Sequence, residues 1–209
     1  VQMLLRAGID VWVTDFGAPE REAGGMERTL DDHVRAVSTC IDEIVQRTKK
    51  DVHLAGYSQG GMFAYQVAAW RTAESKGGIR SLVTFGAPVD IRRNLPLPTE
   101  VAGRVIAGAR IAIEKPLQAI EGLPGFLTST GFKLLSIRKE VQQLAEFVQN
   151  LHDREALEKR ESRRRFLGGE GFVAWPGPAF RTFVDEFIVH NRLASGGFGE
   201  SQTALVDGF

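Results

Sequence analysis

Cysteine occurs once in 209 residues, as Cys40, so an internal disulfide is excluded. No Cys/His spacing of the zinc-binding kind is present, and no metal site is expected. An excess of charge of one sign is also missing: 26 Lys and Arg offset 26 Asp and Glu, a formal net charge of +0. A balanced chain offers no general field for nucleic acid, a polyanion or an anionic membrane. No apolar run reaches membrane-spanning length, and the N-terminus lacks a basic-then-apolar leader. With the single thiol, these absences agree with a reducing, cytoplasmic setting. The 43% hydrophobic content is enough for one domain with its own core.

The chain opens at Val1 in helix-like sequence that Gly8 can close, a start that reads as cut from a longer polypeptide. Residues 9–14, β-branched and aromatic, predict a strand that stops at Asp15-Phe16-Gly17. Residues 17–28 read as an exposed loop. Thr29 is a good N-cap with Asp31 and Asp32 in the first turn, and Leu30, Val34, Val37, Ile41, Ile44 and Val45 recur at helical spacing. Residues 51–57 predict the next strand and 62–71 an apolar helix, and after Gly77-Gly78 the stretch Ile79–Phe85 predicts a third strand. This alternation predicts an α/β fold with a parallel sheet and right-handed crossovers.

After Asp90 the strand signal fades. Residues 132–165 read as a helical pair ending in a charged run, 168–178 as a loop and 179–193 as another helix. Three parts follow: residues 1–92 as core, 93–185 as a helical cap, and 186–209 as a return helix.

Gly56-Tyr57-Ser58-Gln59-Gly60 fits the Gly-x-Ser-x-Gly nucleophile elbow, and it lies between a strand and an apolar helix, the context that turn requires. The turn lifts the Ser58 hydroxyl above the sheet, and the glycines on either side avoid collision between strand and helix. Ser58 is therefore the expected nucleophile, and the Gln59 N–H, at the helix start, the expected oxyanion donor. A phosphate-binding turn would want the Walker lysine, which is missing.

A serine nucleophile needs a histidine oriented by a carboxylate, in the order Ser, acid, His. His33 and His53 precede Ser58, and His53 sits in the entering strand, where a structural role is expected. His152 falls in a charged helix and faces solvent, while His190 lies inside a helix rather than in a loop after a strand. Asp90 follows the third strand, as either a triad acid or a polar strand-end contact. The usual acid and base are therefore not expected in residues 1–209; a lesser alternative is a complete small esterase using Asp90 and His190, which requires both side chains near Ser58. Cys40 reads as a buried small residue. The charged run from Arg154 to Arg165 reads as a solvated helix face, with cationic contact to coenzyme A as a secondary reading.

Several segments resemble the polyhydroxyalkanoate synthase group of α/β hydrolases. They are residues 7–17, the helix start Thr29-Leu30-Asp31-Asp32-His33-Val34, the Gly56-Tyr57-Ser58-Gln59-Gly60-Gly61 box, and Trp175-Pro176-Gly177-Pro178 with the helix to Leu193. The resemblance implies an α/β-hydrolase fold with a helical cap, truncated here at both ends. It implies a strand before residue 1, standing between residues 9–14 and 51–57 in the sheet, and an acid and a histidine after Phe209. It also implies Tyr57, Gly60, Phe16 and Gly17 as substrate-binding residues. The polymerising members carry cysteine where this chain has Ser58, which points to hydrolysis or single acyl transfer. The serine form is similar to actinobacterial members, some of which are fused to an acyl-CoA synthetase. The implied substrates are acyl esters or acyl-CoA thioesters, with coenzyme A as a leaving group and no other cofactor. A non-catalytic hydrolase-like module that binds an acyl chain or docks a fused synthetase is the alternative.

Overall fold

The computed structural model describes residues 1–90, 101, 104, 108, 122–123, 147–155, 157–158 and 173–195. The cap expected over 93–185, the helical pair at 132–165 and the last residues to Phe209 lie wholly or largely outside these. Helix α1 (Gln2–Arg6) closes at Ala7, with Gly8 at φ 78° as its helix stop. Residues 9–14 were expected as a strand and pair with no strand among the described residues. β-branched and aromatic side chains suit a pleated, half-buried surface, and a strand forms only where a neighbour supplies one. Here Ile9, Trp12 and Val13 stay 50%, 46% and 72% exposed. Trp12 lies under the Arg47 guanidinium, 6.0 Å from the ring centre.

Helix α2 (Leu30–Thr48) starts from a full capping box. The Asp32 N–H donates to Thr29 Oγ1 at 3.1 Å, and the Thr29 N–H to Asp32 Oδ2 at 2.8 Å. The two satisfy orphan donors of the first turn reciprocally. Leu30, Val34, Val37 and Ile41 form its buried stripe.

Strand β1 (Val52–Tyr57), helix α3 (Gln59–Ala73) and strand β2 (Ile79–Phe85) make one parallel crossover unit, with Leu54 opposite Leu82 and Tyr57 opposite Phe85. Helix α3 starts three residues earlier than expected, because the Ser58 carbonyl accepts the N–H groups of Gly61 and Met62. It is buried on nearly every side, between the sheet and α2, which is why its sequence carries little amphipathic pattern. Met62, Phe63 and Val67 meet the α2 stripe, while Val52, Leu54 and Ile79 pack from the sheet.

A second ladder pairs β3 (Gly122–Leu123) with β4 (Trp175–Pro176), antiparallel. Trp175 was expected in a loop, yet its ring meets Phe180 and Phe183 edge-on at 5.6 and 4.9 Å. Helix α4 (Gly177–Thr182) runs into a π-helical stretch, Phe183–Val189. The single helix expected over 179–193 thus widens, breaks at Asn191 (φ 51°) and restarts as α5 (Arg192–Ser195). Phe187 and Leu193 complete the core at 1% and 3% exposure. Among the described residues no helix is long and apolar enough to cross a membrane.

Arg71, 4% exposed, is the polar centre of this packing. Its Nη1 donates to Ser38 O at 3.1 Å and Ser38 Oγ at 2.6 Å. Its Nη2 donates to Asp42 Oδ1 at 2.7 Å and Gly77 O at 2.5 Å, and its Nε to Gly77 O at 3.0 Å. Every guanidinium N–H therefore has an acceptor. Arg71→Ala strands these acceptors and should cost about 3 kcal/mol in urea unfolding, whereas Asp42→Asn, on the half-exposed partner, should cost less than about 1 kcal/mol.

The Thr29 backbone N–H, then its hydroxyl, hold the Asp32 carboxyl below its ordinary value. A depressed folded-state value means stabilisation that is present above the unfolded carboxylate range and lost as pH falls through the folded one. Asp32→Asn should therefore lower Tm at pH 7 and flatten the acid side of the Tm profile below about pH 4.

Candidate active site

The backbone of Ser58 sits at φ 52°, ψ −119°, between β1 and α3. A side-chain-bearing residue is held in so sparsely populated a region at a cost of about 1–3 kcal/mol, and only when its surroundings over-determine it. Three bonds do so: the Ser58 N–H donates to Phe85 O at 2.8 Å, and the Ser58 carbonyl accepts from Gly61 and Met62 at 3.0 and 3.3 Å. The serine is exposed, and its hydroxyl makes no capping bond to α3. The Gln59 N–H opens the helix, where α-helical bonding provides it no partner. The turn thus presents a hydroxyl and, one residue on, a main-chain donor at a helix start.

The glycine requirement falls differently from the expectation. A Cβ at Gly56 would overlap the Gly60 carbonyl oxygen and lie 2.5 Å from Gly61 Cα. At Gly60 it would meet nothing within 4 Å. At Gly61 it would overlap the Ala87 methyl. Gly56 and Gly61 therefore let helix and strand approach, and Gly60, on the open side of the first turn, does not.

Phe16 packs edge-on to His33 at 4.9 Å and to Phe63 at 5.5 Å, and its carbonyl accepts from Arg28 Nη1 at 3.0 Å. Because Phe63 is on α3, the 15–17 loop is tied to the helix that Ser58 begins. Gly17, at φ 72°, donates its N–H to Asp15 Oδ1 at 2.9 Å. Phe16 and Gly17 line a cleft of about 730 Å³ with Asp15, Arg28, Asp32 and His33. Tyr57 is 78% exposed at the end of β1.

The four histidines are placed as follows. His33 Nδ1 lies 2.7 Å from Thr29 O, which can only accept, so Nδ1 carries the proton. Its ring stacks on Phe63 at 5.6 Å. His53 Nδ1 meets Ser81 Oγ at 2.7 Å across the β1–β2 pair, the structural role expected of it. His152 is exposed, and His190 Nε2 lies 3.6 Å from Asp185 Oδ1 on its own helix. Asp90 Oδ1 accepts from Asn191 Nδ2 at 2.9 Å, which makes it a contact between the end of β2 and the C-terminal helices. Cys40 is half-buried, and Arg154 pairs with Glu158 at 3.1 Å on an exposed face. Among the described residues no group of three or more His, Cys, Asp or Glu is placed to hold a metal ion. Arg71 and Ala87 carried no signal in the sequence. A cation in a helix looks solvent-facing, and a lone alanine after a strand marks nothing.

Parallel strands joined by a buried helix, with a strained serine where strand becomes helix, define a mixed α/β unit built around that turn. Comparison with known proteins shows what it is similar to. The poly(3-hydroxyalkanoate) polymerase subunit PhaC of Haloferax mediterranei is 39% identical over 208 residues, covering 93% of this chain and 38% of that protein. The PhaC subunits of Synechocystis sp. and Haloarcula marismortui are 26% and 24% identical, covering 94% and 92% of this chain and 50% and 39% of theirs. The chain is polyhydroxyalkanoate synthase-like along nearly its whole length, and it spans half or less of the length of these relatives. No family model and no solved structure matches it.

The glycine geometry has a direct test in unfolding midpoints. Gly56→Ala forces strand from helix and should cost about 3 kcal/mol, whereas Gly60→Ala, free of contacts and helical, should gain about 0.5 kcal/mol.

Proposed function

We propose that this chain carries the nucleophile part of an α/β-hydrolase-type acyl-transfer enzyme acting on acyl esters or acyl-CoA thioesters. Ser58 Oγ attacks the acyl carbonyl while its proton passes to a base. The Gln59 N–H stabilises the oxyanion, and the alkoxide or coenzyme A thiolate leaves as the acyl–Ser58 ester forms. Water or another hydroxyl then takes the acyl group. The observation that carries this reading is the strained, bond-locked backbone of Ser58 at a strand-to-helix turn. The relatives' name, a polymerase of 3-hydroxyalkanoates, points to hydroxyacyl groups as the class transferred. An oxyester intermediate is open to water in a way that favours hydrolysis or one transfer over repeated chain growth. In this reading Phe16, Gly17, Tyr57 and Gly60 border the acyl group, and the helical cap over 93–185 shelters it. The chemistry calls on no metal or redox cofactor, and the setting is the cytoplasm.

One observation favours a second reading. Three of the four histidines pair with Thr29, Ser81 and Asp185, and the fourth is exposed. None of these contacts reaches Ser58, so the acyl-transfer reading still wants a base. The second reading is a hydrolase-like module that binds an acyl chain or docks an acyl-CoA synthetase without catalysis. Incubating the intact protein with a fluorophosphonate should place one adduct on Ser58, located by peptide mass spectrometry and missing in Ser58→Ala. A folded protein that stays unlabelled yet retains a fluorescent acyl chain would carry the binding module instead.

A further inference from the structure

Helix α3 begins hard against the turn that follows β2. A Cβ added at Gly61 would overlap the Ala87 methyl and stand 3.3 Å from Thr84 Cβ and from the Gly56 carbonyl oxygen. One turn on, Tyr65 Oη and Thr84 Oγ1 are 2.6 Å apart. One turn back, the Ser58 N–H reaches Phe85 O at 2.8 Å. Residues 58, 61 and 65, spaced three and four apart and so on one face of the helix, thus converge on residues 84–87.

We infer that residues 84–87 form a seat for the start of α3, with Gly61 and Ala87 as the size-matched pair that fixes its depth and Ala87 as a positioning residue for Ser58. The Ala87 methyl has no rotamer to escape into, so a methyl on Gly61 can be admitted only by lifting the helix start. Lifting it lengthens the Ser58 N–H···Phe85 bond, one of three that hold φ at 52°, and re-aims both the hydroxyl and the Gln59 N–H. The functional part of this inference rests on Ser58 as nucleophile. The seat itself does not.

Helix propensity and the seat predict opposite signs for Gly61→Ala. An alanine inside a helix is ordinarily stabilising relative to glycine, whereas the seat requires Ser58 to loosen. The test is amide hydrogen exchange on the intact protein, reading Ser58 against Val67 in the middle of α3. Gly61→Ala should lower Ser58 protection at least ~10-fold relative to Val67, and Gly61→Ala with Ala87→Gly should recover it to within ~3-fold of the parent. Ala87→Val, which crowds the pair from the other side and leaves α3 untouched, should reproduce the loss. If Gly61→Ala fails to fold, rescue by Ala87→Gly supports the pair and failure to rescue overturns it. Unchanged or higher Ser58 protection in Gly61→Ala also overturns it.

The rate of Ser58 labelling by a fluorophosphonate, followed in the same variants, should fall and recover with protection. If exchange follows the cycle while the parent is never labelled, the seat stands and the acyl-transfer reading falls. If the parent is labelled while exchange ignores the cycle, the seat alone falls.

Discussion

The guanidinium of Arg71 holds together the three pieces on which everything else is laid. It ties the Ser38–Asp42 turn of α2 to the end of α3 and to the Gly77 carbonyl that leads into β2. A buried cation is costly unless all its donors are met, and here each one is. Ser38, buried on α2, and Gly77, on the exposed turn before β2, lend it main-chain oxygens from two separate segments. Gln66, on the same helix and 1% exposed, shows the contrary case, because its Oε1 has no hydrogen-bond partner among the described residues. An unmet group of that kind costs about 1–3 kcal/mol, which the surrounding apolar contacts must offset.

With one end of α3 fixed by charge, the other is fixed by the absence of side chains. Gly56 and Gly61 bring the helix start into contact with the strand it follows and the turn beyond its neighbour. The strain at Ser58 is then a result of where the helix is allowed to lie rather than a property of the serine. This separation lets the side chain at position 58 change its chemistry without changing the scaffold, since none of the bonds that hold its backbone uses the hydroxyl.

What could be read in the sequence was what depends on near neighbours. Thr29 and Asp32 satisfy each other within one turn, so the start of α2 was legible from four residues. The strand-turn-helix around Ser58 was legible for the same reason. Residues 9–14 had a strand composition but needed a ladder partner that composition does not encode. Arg71 passed as the end of an apolar helix because its partners are 29 to 33 residues away, except for the nearby Gly77. The π-helical widening before Asn191 arises where Phe183 and Phe187 turn into the core, which periodicity alone could not reveal. Two adjacent glycines at 60 and 61 are alike in sequence, and only the position of Ala87 separates the one that must stay bare from the one that need not.

The contacts that hold the C-terminal helices span great lengths of chain. Glu20 accepts the Ala174 N–H across 154 residues, and Asp90 accepts from Asn191 across 101. Closing loops of that size costs about 4 kcal/mol each by chain statistics, against about 1 kcal/mol returned by one hydrogen bond. Neither bond can therefore draw the chain together. The work falls to Phe187 and Leu193, which need the apolar surface of α2 and α3 already assembled before they can bury. Once one loop is closed the second lies largely within it and closes at a smaller entropy loss. The order of assembly is thus set by sequence separation: residues 29–85 come together first, and the polar clasps at Glu20 and Asp90 fasten what hydrophobic docking has already brought home.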